Sequence, residues 1–474
     1  MVMHKSGGKL GGKQDQNSEM DGSERRQTTI TPDTPYGECS ERLTAFGGLL
    51  ALVKFLDLIG FQIAFEAHYV HPKRVPKLGG YRMVLGMLML LFIGFQRLGH
   101  FTYVRTDAMV CGVLRVAILP AVSTFWRYLT SLGIMQSAAL LRVNGVLRAK
   151  AWTLCEYAPR RVTVNIDTTV ATVYGAIEGA RKGHNTKHRG KKGLRPVLCF
   201  LEETREYLCG TQRRGETIRN EEVARQIRQF RKQLPACVRE VHVRGDGEFI
   251  GWDSVKACLD EGFFFTFGNK RCAPPFPEDG WYRHGEYEYN ECLYQPTDWE
   301  QPCRFVVMRI REDQRGDRQL KLLESENYLL RGFVTKEKGR PHRVIDGYDQ
   351  RADAENLIGE AQHEGVLAIP SKRFQAHHAF FQIVMLGYNL WRWMKLLAGH
   401  AQRQKQQGVE VPESKQITMP DHTIRIARLK MLFVAAKILF HGNRDEVRYS
   451  IHEQRSAGLM DFLAYLDRRR KEAA

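Results

Sequence analysis

The amino-acid sequence predicts an α/β core with an inserted β subdomain, preceded by an all-helical N-terminal domain and followed by C-terminal helices. Three observations predict it: helical apolar periodicity over residues 36–157, strand-like runs interleaved with helical patterns over about 160–270, and a return to helical periodicity from residue 373. At 474 residues and 43% hydrophobic content, the chain is long enough for two or three domains with sizeable cores.

Residues 1–35 open with MVMHKSGGKLGGKQDQNSEMDGSERRQ, polar and glycine-rich with no apolar signal core, and predict a disordered tail on a cytoplasmic protein. Residues 36–157 read as helices, among them ERLTAFGGLLALVKFLDLIGF. The longest apolar run, residues 83–95, has 13 uncharged residues. That is short of the ~20 needed to span a bilayer, so it predicts a buried core helix. Within TDAMVCGVLRVAILPAVSTFWRYLTSLG, a turn at Leu119, Pro120 and Ala121 separates two helical runs. The pattern suits a DNA-reading helix-turn-helix with Thr124, Trp126, Arg127 and Tyr128 facing a groove, and equally an ordinary helical hairpin.

Residues 158–370 change character. RVTVNID, TVATVYG, PVLCFLE, REVHVRGD and FFFTF read as strands, NEEVARQIRQFRKQL and GWDSVKACLDEG as helices. Three leading strands, a helix, a strand, a helix and a strand is the order of an RNase H-like core. Residues 268–338 follow as short β-like pieces such as EYEYNECLYQP and CRFVVMRIRE, a β insertion in the core. Residues 371–474 are predicted helical, including HHAFFQIVMLGYNLWRWMKLL and ARLKMLFVAAKILF.

Lys and Arg number 71 against 53 Asp and Glu, a net +18 with a pI near 9.5, which makes a polyanion the natural partner. The basic residues lie in loops and not along one amphipathic helix, which argues against a membrane surface. Ten cysteines are scattered without a C-x-x-C pair, so neither a zinc site nor a disulfide framework is predicted.

Chemistry concentrates in VIDGYDQRADAENLIGEAQHEG, read as a helix. At ~100° per residue Tyr348, Arg351 and Glu355 fall near 0°, 300° and 340°, so a phenol, a guanidinium and a carboxylate share one narrow face. Asp353 and Glu360 lie off that face. Upstream, Asp167 and Asp246 end strand-like runs, where sheets usually present ligands; 79 and 109 residues separate the successive acids. Three carboxylates suit Mg²⁺, which favours hard oxygen donors.

Through these contexts the chain resembles the DDE transposases of bacterial insertion sequences, in the branch carrying a Y-x-x-R-x-x-x-E signature, over about residues 110–395. The resemblance implies that Asp167, Asp246 and Glu355 are catalytic and hold two Mg²⁺ (or Mn²⁺) ions, with Tyr348 and Arg351 on DNA phosphates. It also implies cut-and-paste transposition through a hairpin intermediate, terminal inverted repeats and target DNA as duplex partners, and a homodimer bridging two ends, in a bacterial protein that joins the nucleoid when bound to DNA. The wider family places a lysine seven residues after the Glu; this chain has Gln362 there. A metal-dependent nuclease on the same fold, and a decayed transposase that only binds DNA, are the rival readings.

Between the first two acids, residues 181–195 hold seven Lys or Arg and two His with no acid. Lys187, Arg189, Lys191 and Lys192 are the predicted phosphate contacts there, with Arg127 in the helical domain. Glycine and lysine around His184 and His188 argue for a loop and against zinc.

Overall fold

A computed structural model describes residues 29–183, 188–311, 323–325, 328–406, 419–441 and 444–473. Most of the predicted tail, residues 1–28, lies outside the described residues. The chain divides into residues 1–41 and residues 42–474. In the first, the Thr34 amide donates to the Thr31 carbonyl at 3.0 Å and closes a turn. All strands and helices of the described residues fall in the second.

Its centre is a ten-stranded mixed sheet built from β1 (Arg161–Thr168), β2 (Val197–Leu201), β3 (Tyr207–Thr211), β4 (Glu240–Gly245), β5 (Phe264–Asn269), β6 (Tyr282–His284), β7 (Tyr287–Tyr294), β8 (Cys303–Arg311), β9 (Leu323–Ser325) and β10 (Tyr328–Thr335). The spatial order is β6-β7-β8-β10-β5-β4-β1-β2-β3, with β9 on β10. β1 and β4, and β4 and β5, pair in parallel; the other neighbours are antiparallel. The strands of the predicted insertion therefore continue the central sheet beyond β5.

Period-two alternation divides the side chains between the faces. On one face Val162, Val164 and Ile166 of β1 join Val241 and Val243 of β4 in an apolar core shared with α4 (Asn220–Ile227) and α5 (Trp252–Asp260). β2 alternates in full: Val197, Cys199 and Leu201 enter that core, while Leu198 and Phe200 enter the opposite one.

The opposite core is helical and draws on both ends of the chain. α1 (Gly80–Ile93) carries the 83–95 apolar run and is buried along almost its whole length, as predicted. Gly94, at φ 105°, ends it in a left-handed cap whose amide returns to Leu91. Phe92 stacks on Trp391 at 3.9 Å, joining α1 to a 33-residue helix, Phe374–Gln406. Among the described residues no single helix is long and apolar enough to cross a membrane; one bent pair, Gly80–Ile93 with Leu98–Val104, passes on length and composition only.

A buried ion pair locks this helical layer to the sheet. In α2 (Val122–Ser131) and α3 (Ile134–Leu154), the second supplies Arg148, whose Nε donates to Glu206 Oε2 at 2.9 Å. The Glu206 carboxylate also accepts from the indoles of Trp152 and Trp393, each at 2.6 Å. Both ions are 0% exposed and fully hydrogen-bonded, the condition under which such burial is tolerated.

Several expectations are corrected. TVATVYG is not a strand of the central sheet: only Ala171–Thr172 pairs, in a separate small sheet with Arg181–Lys182 and Lys192–Leu194. The third leading strand is β3. The run ARLKMLFVAAKILF leaves its helix at Met431, and Ala436–His441 forms a hairpin with Arg444–Tyr449. Leu43–Thr44 joins that hairpin, so neither terminal region is purely helical. β-branched residues and a Val434 amide that turns back to Leu432 favour extension there over a continued helix.

Candidate functional site

The predicted signature helix is two helices, α6 (Pro341–Asp349) and α7 (Ala352–Ala361), broken at Gln350 and Arg351. The break is a tightening and not a reversal. Arg351 N–H returns to Tyr348 and Ala354 N–H to Arg351, both three residues back, while the flanking backbone stays right-handed. Tyr348, Arg351 and Glu355 thus no longer share one straight helical face.

β1 and β4 bring the aspartates together. Their last paired rung is Ile166 with Gly245, so Asp167 and Asp246 follow it directly at the carboxyl ends of adjacent parallel strands. Counting by twos, Asp167 continues Thr163 and Asn165, and Asp246 continues His242 and Arg244, which puts both acids on one face of the sheet. They line one cavity of about 630 Å³ with Thr168, Thr169 and Gln362.

The signature residues dock on that same rung. The Tyr348 hydroxyl donates to the Gly245 carbonyl at 3.2 Å, and Arg351 Nη2 donates to the Ile166 carbonyl at 3.3 Å. The same Nη2 donates to Asp167 Oδ2 at 2.9 Å. Tyr348 is 7% exposed and packs against Phe333 at 4.6 Å; burial raises its phenol above the ordinary range. Arg351 forms its ion pair with Asp167.

Burial pushes the Asp167 carboxyl up from 3.8 to about 6. The Arg351 guanidinium opposes the rise, Asp246 adds to it, the Thr168 amide opposes it, and Glu355 adds last. Glu355, exposed on α7, therefore stands within electrostatic reach of Asp167 and Arg351. The three acids do not close into a ready cation cluster among the described residues. Their donor chemistry nonetheless suits a hard divalent ion: Asp167 and Asp246 share one cavity, and each already faces a cation.

Three residues of the site are not singled out by sequence. Arg195 is buried with Nε on Thr168 Oγ1 at 3.2 Å and Nη2 on Glu248 Oε2 at 2.6 Å. Glu248 in turn gives its amide to Asp246 Oδ1 at 2.9 Å. Lys270, just past β5, approaches Asp246 Oδ2 at 3.9 Å. The only signals were position, two residues after one acid and one residue past a neighbouring strand. Gln362 donates from Nε2 to Thr169 Oγ1 at 2.7 Å, at the rim beside Asp167.

Of the predicted phosphate contacts, Arg189, Lys191 and Lys192 are exposed around the small sheet, while Lys187 lies outside the described residues, as does His184. Arg127 and Trp126 are exposed on α2, whereas Tyr128 is buried, its hydroxyl 3.1 Å from that of Tyr69. Tyr128 is thus a packing residue and not groove-facing. All ten cysteines are unbridged.

The family model described as transposase DDE domain group 1 matches residues 39–471. No curated protein matches the chain. Among solved structures, the chain is similar to a piggyBac transposase in a synaptic complex with hairpin DNA, seen by cryo-electron microscopy, at 10% identity and a TM-score of 0.38 over 90% of this chain and 86% of that one. With 39–471 of its 474 residues matched, the chain belongs to the transposase DDE domain group 1 family.

Proposed function

We propose that the protein is a cut-and-paste transposase that cleaves DNA at the ends of an insertion sequence and joins them to a target, on an RNase H-like core. The single observation that carries this reading is the shared rung. Asp167 and Asp246 stand side by side past Ile166 and Gly245, and Arg351 and Tyr348 of the signature segment clasp the two carbonyls of that rung. The β3-β2-β1-β4-β5 order, antiparallel then parallel, supports the RNase H-like assignment.

In this reading Asp167, Asp246 and Glu355 hold Mg²⁺ or Mn²⁺. Two such ions, when bound, stabilise both the attacking and the leaving oxygens of phosphodiester displacement. Tyr348 fixes the end of β4 and Arg351 the end of β1, so the two aspartates keep their spacing while a strand enters. Arg189, Lys191 and Lys192 hold the duplex by its phosphates, with Arg127 contacting it from the helical region of residues 36–157. The hairpin intermediate and a dimer bridging two ends belong to the same proposal.

The test is cleavage of end-labelled DNA carrying the element's own flanks, with Mg²⁺ or Mn²⁺, by the intact protein and by Asp246→Asn. Metal-dependent nicks at the boundary, followed by hairpin or joined products and lost in the variant, are expected. Scattered cuts without joining would mean a nuclease, and tight boundary binding without cuts a DNA-binding protein.

A further inference from the structure

We infer that Lys270 is a phosphate-binding residue of the active site, the cation that receives the backbone of the DNA strand beside Asp246. The inference rests on the transposase reading and adds a residue to it.

A strand entering between Asp167 and Asp246 brings anionic phosphate toward two carboxylates, so the site needs a cation that can turn from protein to DNA. Two cavities meet here. One of about 630 Å³ holds both aspartates. The other, about 370 Å³, lies between Asp246 and Tyr348. The described Lys and Arg side chains on their walls are Arg195, Arg331 and Lys270.

Two of these are committed elsewhere. Arg195 is buried between Thr168 and Glu248. Arg331 pairs with Asp349 at 2.5 Å and lies over the rings of Phe333 and Tyr348. Arg351, behind the first cavity, is held by Ile166 and Asp167.

Lys270 differs on every count. It borders both cavities, its side chain is 69% exposed, and its Nζ stands 3.9 Å from Asp246 Oδ2, a long and solvated ion pair. Such an exposed pair is weak, so exchanging it for a phosphate costs little. A flexible ammonium is also a suitable point-charge partner for phosphate.

The stem is nevertheless guided. A Cβ placed on Gly247 would come within 2.5 Å of Lys270 Cγ and 2.7 Å of Cδ, so the lysine stem lies across the bare backbone directly after Asp246. The bare backbone at Gly247 leaves room for that stem, where any side chain would meet it. Gln362, which lines the same cavity, is a neutral amide already engaged with Thr169 and brings no charge there.

The experiment compares the full-length protein with Lys270→Ala and Lys270→Arg, measuring binding of a labelled duplex spanning one element end and its flank, in Ca²⁺, over a series of salt concentrations. Loss of one phosphate contact should lower the log–log salt slope by about 0.9 and weaken binding roughly tenfold at low salt. Lys270→Arg should keep both. Cleavage in Mg²⁺ by the wild type and by Asp246→Asn is measured alongside. An unchanged slope in Lys270→Ala, with cleavage that still depends on Asp246, overturns the assignment and leaves the transposase reading intact. A wild type that neither prefers the boundary nor cuts it overturns that reading, and this inference with it.

Discussion

Arg351 spans the end of β1, giving one nitrogen to both the Ile166 carbonyl and the Asp167 carboxylate, at 3.3 and 2.9 Å. Asp167 is only 21% exposed and lies near two other acids, and this guanidinium opposes the rise in its pKa that burial and those acids cause. Arg351→Ala should destabilise the metal-free protein by about 2 kcal/mol in urea unfolding, below the usual range for a fully enclosed pair because this one is partly solvated. Arg351→Lys should recover part of that stability but not the proposed strand cleavage, since a flexible ammonium does not fix a donor where the rigid guanidinium holds Nη2, between the Ile166 carbonyl and Asp167. An unfolding midpoint unchanged in Arg351→Ala would show that Asp167 needs no partner.

Tyr348 makes the matching contact on the other strand, and its two parts can be separated. Tyr348→Phe keeps the ring against Phe333 and leaves the Gly245 carbonyl short of a donor, for a loss of about 1 kcal/mol. Tyr348→Ala also removes a buried ring, and about 3–4 kcal/mol is expected. Calorimetric melting of the two variants checks the difference; equal losses would mean the hydroxyl carries the whole effect.

The aspartates were legible because each closes a β-branched run, and strand ends in a parallel pair necessarily stand together. The strand order beside them was less legible. TVATVYG has the period of a strand, yet Ala171 and Thr172 pair with Leu194 and Gly193 in a separate small sheet, where Ala171, Val173, Ala180 and Leu194 bury a core of their own. Meanwhile the short apolar stretch of β3, with Gly210 inside it, gives little period to read. The two-helix signature was also hidden: nothing in GYDQRADAE breaks a helix, and the bend comes from docking Tyr348 and Arg351 onto one rung, a tertiary constraint. Arg195 and Lys270 escaped notice because their importance lies in the partners they meet across the sheet.

The enclosed carboxylate of Glu206 accepts from Arg148, Trp152 and Trp393 at once, tying two helices of the helical layer to the entry of β3. Glu206→Gln leaves a guanidinium buried without a counter-charge and should cost about 3–5 kcal/mol. Joint replacement of Arg148 by Met and Glu206 by Gln should recover part of the loss. A Glu206→Gln variant that unfolds at the wild-type urea concentration would remove this pair from the list of fold determinants.

Arg189, Lys191 and Lys192 are exposed in the turn before the middle strand of the small sheet and at that strand's start, so removing their charge should leave folding within about 0.5 kcal/mol. If each holds one phosphate, the triple alanine variant should lower the salt slope of DNA binding by about 2–3. A slope equal to that of the wild type would make this edge a solvated surface and nothing more.

His378 sits between the Ser137 hydroxyl at Nδ1 and the Thr211 hydroxyl at Nε2, both at 2.6 Å, where the helical layer meets the sheet. Burial lowers its pKa from 6.5 to about 4, so the folded protein keeps the ring neutral while the unfolded chain takes up a proton below about 6.5. The sign follows: the stabilisation is complete above pH 6.5, falls as pH drops toward 4, and changes no further below that. Full loss amounts to about 3–3.5 kcal/mol, at 1.36 kcal/mol per pKa unit, and most of it is reached by pH 4. His242, depressed to about 3, adds a slope of the same sign, and Asp167, raised to about 6, opposes it. A difference measurement isolates His378: the gap in unfolding free energy between wild type and His378→Gln should shrink by about 2–3 kcal/mol from pH 7 to pH 4. A gap independent of pH would show that this imidazole titrates alike in the folded and unfolded chain.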